Sequence, residues 1–245
     1  MSTSHARSVS AYIRLSAVLF PQVGIVNADA LDLPSSPIEL DLIERLGRKG
    51  QRYNTRSTLL ALAAVGELSD ALAEQEDTFG SDCGLVAASC YGNLAATCGV
   101  AEQLNDGAAA RISPMDLPNA SSNILASQIA IRHGITGVCL TVDDGLGSGN
   151  SAMRWADRLI SSGRSSRVLI VAAECPSVYE ETLRGGPPLV QGAIALLLEP
   201  VAARNHEIPV GEISTGDLPI WAKEYELASL GGLLSALRRS IRVVP

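Results

Sequence analysis

The sequence predicts an α/β domain built on a mixed sheet with helices on both faces. Short aliphatic runs that suit buried strands alternate with longer segments of helical periodicity. The composition is 47% hydrophobic but only 4% aromatic, so the core must be packed with small aliphatic side chains. Twenty-two glycines and 12 prolines punctuate the chain, supplying the turns that such an alternation requires. One domain over residues 1–245 is expected.

Residues 11–19 read as a first strand, with Tyr12, Leu15, Val18 and Leu19 among small residues, and Pro21 and Gly24 mark its exit. In the short helix that follows, Ser36 is placed to cap and Pro37 to take the first position. Its apolar residues Ile38, Leu42, Ile43 and Leu46 run to a stop at Gly47. Asn54 or Thr55 caps a longer helix in which Leu59, Leu60, Leu62, Val65, Leu68 and Leu72 leave few polar positions before Glu74, which predicts burial on most sides. Residues 83–89 form a short strand, 91–105 a helix, 113–118 a loop, and 120–133 a helix carrying Ile124, Ile129 and Ile131. Residues 138–142 are a buried strand, 143–149 a glycine-rich turn, 151–162 a helix and 168–173 a further strand. On that helix Arg154, Asp157, Arg158 and Ser161 make a polar stripe opposite Ala152, Trp155, Ala156, Leu159 and Ile160, so one face is to be buried. After a loop rich in Pro and Gly at 176–188, residues 192–198 and 209–213 read as a hairpin joined through 203–206. Residues 220–241 form a terminal amphipathic helix with Trp221, Leu230, Leu234 and Leu237 at helical spacing.

A net charge of −7 repels phosphate backbones and argues against a general nucleic-acid binder. Cys83, Cys90, Cys98, Cys139 and Cys175 fall singly at wide spacings, which suggests neither a disulfide framework nor a zinc site and fits a reducing cytoplasm. Arg7 ahead of the apolar stretch 11–20, with Ala28-Asp29-Ala30 behind it, imitates an export signal, but Arg14 interrupts the stretch. No other apolar run approaches the roughly 20 residues that cross a bilayer.

The turn Asp143-Asp144-Gly145-Leu146-Gly147-Ser148-Gly149 lies between a strand and a helix, where backbone N–H groups and the helix dipole hold anions or activate nucleophiles. A dinucleotide fingerprint would need glycine where Asn150 stands, although Glu174, at the end of the next strand, is placed for a ribose. Ser148 as a hydrolase nucleophile would need glycine at the position of Leu146, and nothing marks His5, His133 or His206 as its base. Asp143 and Asp144 could ligate magnesium or simply be solvated turn residues.

A longer pattern brings these segments together. Ser113-Pro114, Pro118-Asn119-Ala120-Ser121-Ser122, the run from Gln128 through Arg132-His133-Gly134 to Gly137, Leu140-Thr141-Val142, Ser148-Gly149, Leu159-Ile160-Ser161-Ser162-Gly163-Arg164 and Gly192-Ala193 follow one another in strand–helix context. This order resembles the amino-terminal half of a β-ketoacyl synthase of the thiolase superfamily, most strongly over residues 113–199. The resemblance implies a thiolase-like half-fold. It also implies that Leu146 occupies the position of the cysteine that attacks the acyl thioester, flanked here by Asp143, Asp144 and Ser148. A leucine has no lone pair with which to accept an acyl group. The family's decarboxylation histidines lie in its carboxy-terminal half, and this chain is expected to end about where that half begins.

A family member without the nucleophile resembles the chain-length factor of type II polyketide systems, which pairs with an active ketosynthase and shapes the acyl tunnel. That likeness implies a noncatalytic subunit with no cofactor and no metal, partnered by a ketosynthase and an acyl carrier protein in the cytoplasm, with neither membrane nor nucleic acid. The resemblance also implies a dimer edge at Gly137, Val138, Cys139, Leu140, Thr141 and Val142, the strand across which family members pair; burying such an edge in a partner removes an aggregation hazard. A basic cluster of Arg45, Arg48, Lys49, Arg52 and Arg56 runs against the acidic total. The cluster resembles the basic stretch that family members carry ahead of the same long helix, which implies Arg48, Lys49, Arg52 and Arg56 as docking residues for an acidic carrier protein; a solvated helix end and linker is the alternative. An independent acyl-thioester enzyme using Asp143, Asp144, Ser148 or Cys90 is the alternative, and a nicotinamide-dependent oxidoreductase a second.

Overall fold

The computed structural model describes residues 11–20, 24–26, 41–51, 53–175, 177–184, 191–200, 230 and 233. Its strands are β1 (Ala11–Phe20), β2 (Gly24–Val26), β3 (Gly84–Ala88), β4 (Cys139–Val142), β5 (Val168–Glu174) and β6 (Gly192–Pro200). They form one sheet in the order β2-β1-β6-β5-β3-β4. β3 is parallel to β4 and β5, whereas β6 runs antiparallel to β5 on one side and to β1 on the other. Both edges of β6 are therefore taken, which leaves no place for the hairpin expected with 209–213. Those residues lie outside the described ones.

The helices are α1 (Leu42–Leu46), α2 (Arg56–Ala73), α3 (Leu94–Asn105), α4 (Asp116–Asn119), α5 (Ile124–His133), α6 (Ser148–Ser161) and α7 (Val178–Arg184). They sit on both faces of the sheet. One core layer joins α1, α2 and α5 to Leu85, Ala87, Leu169, Val171, Ala195 and Leu197. The other joins α6 to the alternating residues Val86, Ala88, Ile170, Ala172, Ile194 and Leu196. Because β3, β5 and β6 are covered on both faces, their sequences are continuously aliphatic rather than alternating.

Element boundaries follow local hydrogen bonding. Thr55 caps α2 as expected, its side chain accepting from the Thr58 N–H. α1 is shorter than expected and starts three residues before Arg45: Asp41 Oδ1 accepts from the Ile43 and Glu44 N–H groups, each at 2.9 Å, and takes the capping role expected of Ser36. Ser36 and Pro37 lie outside the described residues. α5 starts at Ile124 rather than at 120, because the preceding residues form the separate turn of α4, which ends on Ala120. The segment read as a loop at 176–188 contains α7. Its start is a Ser-x-x-Glu capping box in which Ser177 N–H donates to Glu180 Oε2 at 2.8 Å. That signal is present in the sequence and outweighs the surrounding Pro and Gly.

α6 buries the face expected, with one exception. Ala152, Ala156, Leu159 and Ile160 are buried, but Trp155 is 43% exposed and lies under the Arg158 guanidinium, 5.3 Å from the ring centre. This cation–π contact covers part of the indole without placing it in the core. Of the expected terminal helix the structure describes only Leu230 and Leu233, both helical and fully buried against the α6 layer. No helix among the described residues is long and apolar enough to cross a membrane.

Candidate functional site

The turn between β4 and α6 is a short 3-10 segment, Gly145–Gly147, entered through a positive φ of 56° at Gly145 that favours glycine. Leu146 stands at its centre and is 49% exposed. Nothing but hydrocarbon is presented at that point.

Around Leu146 the polar groups bind one another. Ser148 is fully buried; its Oγ accepts from the Asp144 N–H at 2.7 Å and donates to the Gly145 carbonyl at 2.8 Å. A hydroxyl held this way stabilises the turn and is not positioned to attack a substrate. Ser151 Oγ donates to Asp144 Oδ2 at 2.6 Å and accepts from Arg154 Nη2 at 2.9 Å. The Arg154–Ser151–Asp144 chain ties the turn to the first two turns of α6, although α6 has no side-chain cap at Gly147.

Asp143 faces the other way. Its Oδ2 lies 3.0 Å from where a side chain at Gly92 would begin, and burial pushes its carboxyl above the usual carboxylate range. It borders a small cleft at the C-terminal ends of β3 and β4, lined by the polar Ser57, Ser89, Asn93, Ser122 and Thr141 and by the apolar Ala88, Leu125 and Ala173. Thus Asp143 and Asp144, adjacent in sequence, serve different neighbours and do not converge on one point.

Glu174, the expected ribose ligand, is buried. Its Oε1 accepts from the Cys90 N–H at 2.7 Å and its Oε2 from Ser89 Oγ at 3.4 Å. The carboxylate therefore holds the end of β3 in place, which removes the dinucleotide reading's best residue. Cys90, the alternative nucleophile, is only 3% exposed and packs with Tyr91. Cys83 is equally enclosed, and burial pushes its thiol up to about 12.

β4 is the last strand of the sheet and pairs only with β3 among the described residues. Cys139 is exposed, and Gly137, Val138, Leu140, Thr141 and Val142 are half-buried, so the strand read as buried has an outer edge unpaired among the described residues. Gly137 lets the strand enter close to β3: a Cβ there would lie 2.4 Å from the Cys83 carbonyl oxygen.

Of the basic cluster, Arg48, Lys49 and Arg56 are exposed, while Arg45 is ion-paired with Glu67. Arg52 lies outside the described residues. Sequence reading missed Arg132, whose Nη2 donates to the Leu46 carbonyl at 3.3 Å and sets an α5 guanidinium beside the end of α1. It also missed Ser151 and Arg154 as parts of the turn. The available signal was the spacing of Ser151 and Arg154, three positions apart on one face of the helix that follows the turn.

With this geometry in place, comparison with known proteins decides the family. The sequence matches the family described as "Beta-ketoacyl synthase, N-terminal domain" over residues 44–186. The chain belongs to the β-ketoacyl synthase family. No curated protein matches it. Among solved structures it is similar to the ishigamide ketosynthase/chain length factor, with a TM-score of 0.63 and 25% identity, covering 82% of this chain and 64% of that one. It is also similar to the ketosynthase ApeO in complex with its chain length factor ApeC from Xenorhabdus doucetiae, with a TM-score of 0.63 and 22% identity, covering 78% and 79%. A third is the AntDE:AntF complex, a type II PKS acyl-carrier protein with its ketosynthase bound to the hexaketide, with a TM-score of 0.63 and 15% identity, covering 79% and 64%. The last two likenesses speak for the fold. The chain spans 64% of the length of the first structure. The α/β architecture, mixed sheet and two helical faces are those of a ketosynthase-like half-fold.

Proposed function

We propose that this β-ketoacyl synthase family member is a noncatalytic subunit of the chain-length-factor kind. It pairs with an active ketosynthase in type II polyketide or fatty-acid-like biosynthesis and shapes the acyl tunnel there. The observation that carries the reading is Leu146, exposed on the turn that precedes α6, at the position where the family resemblance puts the attacking cysteine. Transacylation needs a lone pair at that position, and the buried Ser148 and Cys90 do not replace it.

The open β4 edge supports pairing through residues 137–142, since a partner strand would satisfy its outward backbone groups. Exposed Arg48, Lys49 and Arg56 support docking of an acidic acyl carrier protein, with Arg52 as a further member of the cluster. Five free cysteines, none disulfide-bonded, suit a reducing cytoplasm.

The test is co-expression with the ketosynthase encoded nearest to it, followed by size-exclusion chromatography with light scattering and a malonyl-carrier condensation assay. A one-to-one complex that condenses only when both chains are present is expected. Covalent acylation of the isolated chain, or condensation by it alone, would refute the reading.

A further inference from the structure

We infer that Asp144 electrostatically silences the start of α6, so that this turn is closed to thioester chemistry by a built-in charge as well as by the missing thiol. The inference extends the noncatalytic reading above and rests on it only for its biological meaning, because the geometry stands alone. A helix start carries about half a positive charge that lowers a nearby thiol pKa and stabilises a developing oxyanion. Here a carboxylate lies across it. Asp144 Oδ2 is 3.6 Å from where a side chain at Gly147 would begin and is anchored by Ser151 Oγ at 2.6 Å. Arg154 holds that serine from the second turn at 2.9 Å, so the carboxylate has a fixed seat. The Asp144 backbone is fixed as well, its N–H donating to Ser148 Oγ at 2.7 Å.

The consequence is that restoring a thiol at residue 146 does not restore a reactive one. A cysteine placed there would feel the helix start and, against it, the Asp144 carboxylate seated beside Gly147 and Ser151, with the Arg154 guanidinium on the far side of that serine only partly offsetting it. Like charge disfavours the thiolate.

The experiment introduces Leu146→Cys as a reporter and measures iodoacetamide alkylation of the residue-146 peptide by mass spectrometry from pH 5.5 to 10. Peptide mapping separates it from the native cysteines. The same profile is taken with Asp144→Asn and with Asp144→Ser, a cap-compatible residue that keeps a hydroxyl should the Asn variant fold poorly. Asp143→Asn is the control, because Asp143 turns toward Gly92 rather than α6. Circular dichroism confirms folding of each.

The single variant is expected to titrate at or above the ordinary thiol value of about 8.5. Removing the Asp144 charge is expected to lower the inflection by about one unit. Since lower basicity also weakens the nucleophile, the rate at pH 7 should rise only about threefold. Asp143→Asn should move the inflection by less than half as much. A reporter already depressed below pH 7.5 with Asp144 intact, or an equal shift from Asp143→Asn, would overturn the inference. Either result leaves the co-expression test of the noncatalytic reading untouched, since the native chain has no thiol at 146.

Discussion

At the scale of single residues, Gly137 shows how one missing methyl group sets the position of a strand. The chain enters β4 so close to β3 that a Cβ would lie 2.4 Å from the Cys83 carbonyl, inside any tolerated contact and against backbone that cannot rotate away. Gly137→Ala should therefore cost about 1–3 kcal/mol of folding stability, the range for overpacking a close contact. Urea unfolding would measure it, and an unchanged midpoint would show that β4 can shift outward freely. The sequence does not show why glycine stands at 137, because the carbonyl it avoids lies 54 positions earlier. Leu146 is the opposite case. Its place in a glycine-rich turn between strand and helix was legible from its immediate neighbours, as was the cap at Thr55, since both depend on contacts within a few residues. Glu174 was misplaced because its partners, Ser89 and Cys90, are brought to it by sheet pairing that local patterns do not encode.

At the scale of elements, Arg14 illustrates how a residue that looks wrong in a strand belongs there. It interrupts an aliphatic run, and the register of β1 against β6 shifts between Ile13 and Leu15, a bulge that re-aims the side chain. Its guanidinium then reaches Asp77 at 2.6 Å and Glu199 at 2.7 Å, while Arg167 binds the same two carboxylates at 3.1 and 3.3 Å. This network ties β1, β6, the start of β5 and the α2–β3 connection together. Arg14 and Glu199 side chains are only 17% and 12% exposed, so the network falls between exposed pairs and buried ones. Replacing Arg14 by Met should cost about 1–3 kcal/mol, bracketed by those two classes, with a readout in thermal unfolding. Partial burial alone would raise the Asp77 carboxyl, but hydrogen bonds from Arg14, the Thr78 N–H and Arg167 outweigh it and hold the group at about 2. Its stabilising effect is complete above the ordinary carboxylate value near 3.8 and is lost as pH falls toward 2. In Asp77→Asn this part of the acid profile should flatten; an unchanged slope between pH 4 and 2 would count against the network.

At the scale of the whole molecule, the alternation of strands and helices was legible because two-sided burial makes strands continuously aliphatic, whereas the strand order was not. The neighbours of β6 are β1, about 180 positions earlier, and β5, and nothing in the run from Gly192 to Pro200 distinguishes them from a hairpin partner. The core built on this order contains one titratable group that should govern its response to mild acid. His133, in the last turn of α5, meets Phe79 edge-on at a ring separation of 5.5 Å, and its Nε2 is buried with no hydrogen-bond partner among the described residues. Burial first, and the Arg132 charge second, lower its pKa from 6.5 to about 4 despite the opposing charge of Asp70. The folded state therefore refuses a proton that the unfolded chain accepts. Stability from this site is complete above pH 6.5 and is lost as pH falls toward 4, the same direction as Asp77 but in an earlier, separate window. His133→Phe, which keeps a ring against Phe79 and removes the titration, should be more stable than the native chain at pH 5 and show no loss between pH 6.5 and 4. Urea midpoints at pH 7.5, 6.5, 5 and 4 would measure both curves. Parallel curves would mean that His133 finds a solvated position when charged, and that α5 yields at its C-terminal turn without loosening the α2–α5 layer.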